Sequence, residues 1–503
     1  MEHHFPYLPR RRCTLTALAL AVGILACTLG QTPPTQPPAS PGARTEPGTG
    51  ATAPAESQPR PLPPAYASGD VVNPVDLEYL GAFRLPGGND RPQTFAYGGN
   101  AMTFNPDGDP AGPDDGFPGS LFVMGHDRMP YGDLPDGNQV AEINIPVPVA
   151  SRDLGGLNTT DFLQGFNDIA RGQFAGLDEI PRVGLQYLNR PETGPKIHIA
   201  WGQHFQESPS ASHAWFDPTL SQSQMQGAWF IGDQDLYSVN GYLFEIPVLW
   251  ADVFGGKYLA TGRARDGGWS GMGPALFAYT PWQADGSPPP DGTHLQETVL
   301  LLYENSYNTT DIIHAMSGYQ HPDEWEGGAW ISAPSGRQAV IFAGTKSNSE
   351  KYWYGYLNPA GPQYACVDTQ ITDFPTCRMA DGSICPQQDF EGCCDEASGR
   401  CASLRGWWTT QWNSQFIFYD PADLARVAAG ELASWEPQPY AVLDIDEHLF
   451  FNPSGVETDM LGTGDQRRYR IGDMAYDRQN NLLYVLELFA DGAAPVVHIW
   501  QVR

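Results

Sequence analysis

The chain has 503 residues, a formal net charge of −30 at neutral pH, 55 glycines, 46 prolines and 12% aromatic residues. Lysines occur only at Lys196, Lys257, Lys346 and Lys351, so it lacks the cationic surface that displaces counterions from a phosphate backbone, and nucleic acid is excluded as a partner. Glycine and proline at this density, with few long helical patterns, predict an all-β chain of short strands and many turns.

Arg10, Arg11 and Arg12 precede an apolar run from Leu15 to Ala26. This is the pattern of a signal peptide, and the run is too short to span a bilayer, which takes about 20 apolar residues. Ile24-Leu25-Ala26-Cys27 closes it and resembles the lipobox of bacterial lipoproteins, which implies lipidation of Cys27. Residues 28–68 are rich in Pro, Thr, Ala and Gly and cannot bury enough apolar surface to offset their ordering entropy, so a disordered tether is expected. The expectation is an exported protein, in the cell envelope or extracellular, meeting a membrane only through its lipid. About 435 residues then remain for folding.

Residues 69–503 contain a repeat. Val140-Ala-Glu-Ile-Asn-Ile-Pro146, Tyr242-Leu-Phe-Glu-Ile-Pro247, Leu276-Phe-Ala-Tyr-Thr-Pro281, Phe416-Ile-Phe-Tyr-Asp-Pro421 and Val497-His-Ile-Trp-Gln-Val502 each alternate apolar residues, and four of them stop at a proline, which withholds a ladder donor. Hairpins precede some of them, as in Arg470–Asp477 with Leu482–Glu487, and Gly99–Phe104 with Ser120–Gly125. Such units closed radially make a β-propeller. Five blades are expected, six or seven if some are disguised, and a two-sheet sandwich is the competing architecture. The unit at roughly 257–305 shows no evident second strand. The last unit lacks a fourth strand, which Leu77–Leu85 is expected to supply from the other end of the chain. Cys366, Cys377, Cys385, Cys393, Cys394 and Cys401 crowd into 366–401. In an exported chain they predict a disulfide-stapled loop inserted in the propeller, whose pairing spacing alone leaves open.

The opening Tyr79-Leu-Gly-Ala-Phe-Arg-Leu85, Arg265-Asp-Gly-Gly-Trp269 and Leu443-Asp-Ile-Asp446 resemble an uncharacterised group of secreted bacterial β-propeller-like proteins, over nearly all of 77–503. The resemblance implies export and fold and carries no activity.

Familiar catalytic motifs are absent, so chemistry is sought where a propeller offers it, at the mouth of the central channel. Asp266, Glu326 and Asp473 each stand beside glycines expected at the start of an inner strand. Carboxylates converging on one channel raise at least one pKa and supply the acid and base of glycoside hydrolysis, an analogy with five-bladed propeller glycosidases. His314 and His321, among Tyr303, Glu304, Tyr307, Tyr319 and Trp325, suggest instead the proton abstraction of a polysaccharide lyase, or metal ligation. Trp201, Trp215, Trp229, Trp269 and Trp325 are candidates for stacking on sugars, though most are expected to pack between blades. Asn105, Asp107, Asp109 and Asp114 place oxygen ligands at spacings that suit calcium, without the terminal glutamate of an EF-hand. No organic cofactor is expected. The expected function is a surface-anchored carbohydrate-active protein, hydrolase or lyase. The alternatives are a non-catalytic propeller binding a polysaccharide or cell-surface protein, and a structural calcium-binding envelope lipoprotein.

Overall fold

The structure is a computed structural model. It describes residues 70–503 except 88–91, 110–111, 113–115, 126–137, 171, 175–181, 203–209, 235, 306–311, 349–350, 354–393, 396–399, 402–406, 410–411 and 452–470. The expected signal, Cys27 and the tether therefore lie outside the described residues, as do Asp114 and four of the six clustered cysteines.

Five blades surround one axis. The closing strand β1 (Leu77–Arg84) comes first in the chain. Blade I holds β2 (Met102–Asn105), β3 (Ser120–Met124), β4 (Gln139–Asn144) and β5 (Phe162–Asp168). Blade II holds β6 (Arg182–Arg190), β7 (Gly194–Gly202), β8 (His213–Phe216) and β9 (Gln226–Ile231). Blade III follows with β10 (Leu243–Glu245), β11 (Leu259–Thr261) and β12 (Leu276–Tyr279); between it and its fourth strand, the short β13 (His294–Leu295) pairs in parallel with β9. That fourth strand is β14 (Thr298–Leu301). Blade IV opens with β15 (Glu324–Ser332) and β16 (Gln338–Ser347). The cysteine-bearing segment leaves from here. Within it β17 (Lys351–Trp353) pairs with β20 (Trp407–Thr409), and β18 (Cys394–Asp395) with β19 (Arg400–Cys401). Blade IV resumes with β21 (Trp412–Tyr419) and β22 (Ala441–Asp444). Blade V is β23 (Ile471–Asp477), β24 (Leu482–Asp491) and β25 (Ala494–Val502), with β1 on its outer edge.

The innermost strands β2, β6, β10, β15 and β23 touch in that order and close the ring back to β2. Their crowding explains the glycines. A Cβ on Gly472 would sit 2.0 Å from the carbonyl oxygen of Gly99, and one on Gly327 would sit 2.8 Å from the backbone nitrogen of Met474. Side chains from facing sheets fill the space between blades, as with Phe244, Trp330, Phe342 and Tyr419 between III and IV, and Phe416, Val485 and Trp500 between IV and V.

The expected closure is present: β1 pairs antiparallel with β25, from Leu77 opposite Val502 to Arg84 opposite Val496. Two ion pairs hold this latch. Arg337 grips Asp76 with two bonds of 2.7 and 2.8 Å, and Arg84 meets Asp491 at 2.7 Å.

Two elements differ from the repeat pattern. Tyr242–Pro247 is not a third strand: it forms β10, the inner strand of blade III, because its alternation continues across a three-residue strand packed on both sides. The second strand of that blade is β11, three residues long, so the blade begins at Leu243.

Candidate functional site

Because the strands of each blade run up and down in turn, one end of the ring collects the starts of the inner strands, the loops joining second to third strands, and the crossings between blades. Two predicted carboxylates meet at this end on neighbouring inner strands. Glu326 lies on β15 and Asp473 on β23, where Gly327 brings the two backbones together. Asp473 is fully buried. Its Oδ2 accepts from the Met102 N–H at 2.9 Å and its Oδ1 from the Met474 N–H at 2.8 Å, so it ties blade V to blade I. Burial drives its carboxyl well above the ordinary aspartate range; the two backbone donors oppose this and the charge of Glu326 adds to it. Arg265, almost buried, reaches Glu326 at 4.0 Å from the β11–β12 loop.

That loop is shaped by Ser270, whose hydroxyl donates to the Arg265 carbonyl at 2.6 Å and accepts from the Arg265 N–H at 2.9 Å. It is joined to β15 by the Trp325 N–H, which donates to the Ala264 carbonyl at 2.9 Å. Between it and the crossing from β14 to β15 lies a narrow crevice, too tight to admit a water molecule, lined by Ala264, Arg265, Gly268, Gly271, Gly273, Tyr319, Asp323 and Trp325. Asp323 is buried and raised to about 6 by desolvation, against the pull of Lys346. Lys346 donates to it at 3.0 Å, and the backbone N–H groups of Gln320 and Ser347 donate at 2.9 and 2.8 Å. Trp325 lines this crevice, and its buried indole Nε1 has no hydrogen-bond partner among the described residues.

The remaining predicted residues are distributed differently. Asp266 lies on the β11–β12 loop, at a turn where Gly267 is left-handed with φ 64°, and not at the start of an inner strand as its neighbouring glycines suggested. Backbone continuity still places it next to Arg265 at the channel mouth. His321 is buried against the Tyr319 ring, 5.6 Å between centroids. His314 stands at the rim, its Nδ1 3.0 Å from Glu304 and its ring stacked on Trp435 at 4.4 Å. The two histidines belong to the same crossing and have separate surroundings. Trp201, Trp215, Trp229 and Trp325 are buried in the packing, and of the five tryptophans only Trp269 is partly exposed.

Of the proposed calcium ligands, Asn105, Asp107 and Asp109 sit at the opposite end of the ring, at the β2–β3 turn, and Asp114 lies outside the described residues. Asn105 donates to Glu142 at 3.0 Å and accepts from the Asp107 N–H at 3.0 Å, and Asp107 accepts from the Tyr187 hydroxyl at 2.8 Å. Asp109 has a left-handed backbone, φ 39°. Among the described residues no group of three or more His, Cys, Asp or Glu side chains is close enough to hold a metal ion. The cysteine segment springs from the channel-mouth end, between the paired Ser347 and Trp412.

Asp323, Lys346 and Arg265 are members of this site that sequence reasoning did not single out. Arg265 carried a signal, standing beside Asp266. Asp323 carried none, since its partner is a strand away. Among the described residues no helix is long and apolar enough to cross a membrane. No known protein-family model matches the chain, and no curated protein is significantly similar to it.

Proposed function

We propose that this protein is an exported glycan-binding propeller that meets its ligand at the channel mouth, beside blades III and IV. The composition of this end carries the reading: an indole, a phenol and a guanidinium gathered between blades III and IV, where a propeller's loops converge, suit the hydroxyls and apolar faces of a sugar. Binding is favoured over two-carboxylate hydrolysis because Asp473 and Asp323 are buried and already engaged by backbone or lysine donors, which leaves neither in reach of a substrate. Hydrolysis remains a second reading on one observation, the electrostatic coupling of Glu326 to a buried, upward-shifted Asp473 across adjacent inner strands.

One screen separates the two. The purified protein is incubated with neutral and uronic-acid polysaccharides, and binding, new reducing ends and unsaturated-product absorbance are all recorded. Retention on a glycan with no product supports the binding propeller. Turnover lost in Glu326→Gln supports hydrolysis, and retention of none of the glycans rules out both.

Export and attachment through Cys27 complete the proposal, on the arginine-led apolar run and the tether composition. In a bacterial host, globomycin should leave the unprocessed precursor and Cys27→Ala should abolish lipid labelling. Lipid labelling that survives in Cys27→Ala would count against the anchor.

A further inference from the structure

Two cysteines of the inserted segment stand at directly opposed backbone positions. β18 and β19 form an antiparallel ladder of two pairs, Cys394 opposite Cys401 and Asp395 opposite Arg400. Among the described residues neither strand pairs with any other. Opposed Cα atoms in such a ladder lie about 4.5–5.5 Å apart, and a disulfide spans about 4.4–6.8 Å. A free-standing hairpin is marginal in water even when it is longer, so a ladder this short needs a further bond to hold its register.

We propose that Cys394 and Cys401 are joined by a disulfide that staples the β18–β19 hairpin. The inference rests on the export reading, because cytosolic thiols are kept reduced. Register decides between Cys394 and its neighbour Cys393. In the register present, Asp395 lies opposite Arg400, an opposite-charge pair across the ladder. A slip of one residue would set Cys393 against Cys401 and Cys394 against Arg400, and would give up that pairing. The connection Glu396-Ala-Ser-Gly399 has the length of a hairpin loop and a glycine just before the return strand. The bond forms by exchange with the disulfide of an exported thiol oxidase. One cysteine thiolate attacks that disulfide and releases one of its sulfurs, and the other cysteine then displaces the second. The chain loses two electrons and two protons, which leave with the oxidase as a dithiol. Six cysteines allow fifteen pairings, and with this bond fixed three remain.

The full chain is expressed in a bacterium that exports it and unfolded at harvest in excess N-ethylmaleimide. The labelled members of the six clustered cysteines are then identified by mass spectrometry. The parent should carry no label. Cys394→Ser should label Cys401 alone, Cys401→Ser should label Cys394 alone, and the double variant should carry none. The double variant keeps the test open where an orphaned thiol disturbs folding. A label on a different cysteine in both single variants, or a free thiol in the double variant, overturns the pairing and leaves export intact. A free Cys394 or Cys401 in the parent overturns the bond, and six labelled cysteines overturn the export reading with it.

Discussion

Asp323 and Asp473 show what burial does to a carboxyl group and what can be measured from it. Asp323 is raised to about 6, with desolvation outweighing Lys346. An acid whose folded pKa exceeds its unfolded value binds more protons in the native state, so its contribution is full below about pH 4 and declines as pH rises to about 6. The stability of the parent relative to Asp323→Asn should therefore fall across that window, by about 3 kcal/mol, the sign opposite to that of a salt-bridged carboxylate with a depressed pKa. Denaturant titrations of both proteins at pH 4, 5 and 6 provide the test, and a flat difference would show that Lys346 controls the site. Asp473 serves two backbone donors at once. Asparagine offers one oxygen where two are used, so Asp473→Asn should lower stability by about 1–3 kcal/mol in the same assay. A variant as stable as the parent would mean that the link between blades V and I contributes little.

Strands and loops explain which parts of this molecule were legible in its sequence. The third strands β4, β12 and β21 could be found because each ends two residues before a proline and alternates apolar positions. β8 bears the same mark, His213-Ala-Trp-Phe-Asp-Pro218 beside Phe416-Ile-Phe-Tyr-Asp-Pro421, and is no shorter than β12, so it too was legible although it was not among the five segments of the repeat. Inner strands are harder: β2 is buried at all four positions, so its burial has no period to read. The site was legible as a region, the channel mouth, because glycines cluster where backbones crowd. Its pairings were not, since the donor to Asp473 is 371 residues away at Met102. A similar long-range bond fixes a loop. The Glu487 carboxylate on β24 accepts from the Phe450 and Phe451 N–H groups at 2.9 and 2.7 Å and lies 2.9 Å from His498 Nε2, whose other ring nitrogen is 3.0 Å from the Tyr79 hydroxyl on β1. Loop anchor and closing strand thus share one buried network. Glu487→Gln keeps the size and removes the charge that three groups converge on, and should cost about 1–3 kcal/mol. Amide exchange at Phe450 and Phe451 should rise more than at the centre of blade II. Equal protection in parent and variant would make the carboxylate incidental.

At the scale of the whole ring, stability depends on one strand supplied from the opposite end of the fold. β1 lies at the edge of blade V, and its Ala82 and Phe83 are fully buried, with Leu77 and Tyr79 packed against the core shared with blade IV. Asp76, immediately before it, is gripped by Arg337 of blade IV, and Arg84 at its end by Asp491 of blade V. The described contacts begin just ahead of this strand, where the Val72 N–H donates to the Gln338 carbonyl at 3.2 Å. Removing residues 1–68 leaves all of these contacts in place, so the midpoint of thermal unfolding should hardly move. Removing residues 1–86 strips several buried side chains from the core and bares the edge of β25, at a cost on the order of 5 kcal/mol and with a tendency to associate through that edge. The decisive arm adds the strand back. A synthetic peptide spanning residues 70–86 should bind the shortened protein, restore the unfolding midpoint in proportion to its concentration, and return the protein to its original elution volume. A peptide with Phe83→Asp should not, because the charge would enter a fully buried position. Were the shortened protein as stable as the parent, or indifferent to the peptide, blades I to V would be held by the contacts of their inner strands alone, and closure through β1 would be dispensable to the ring.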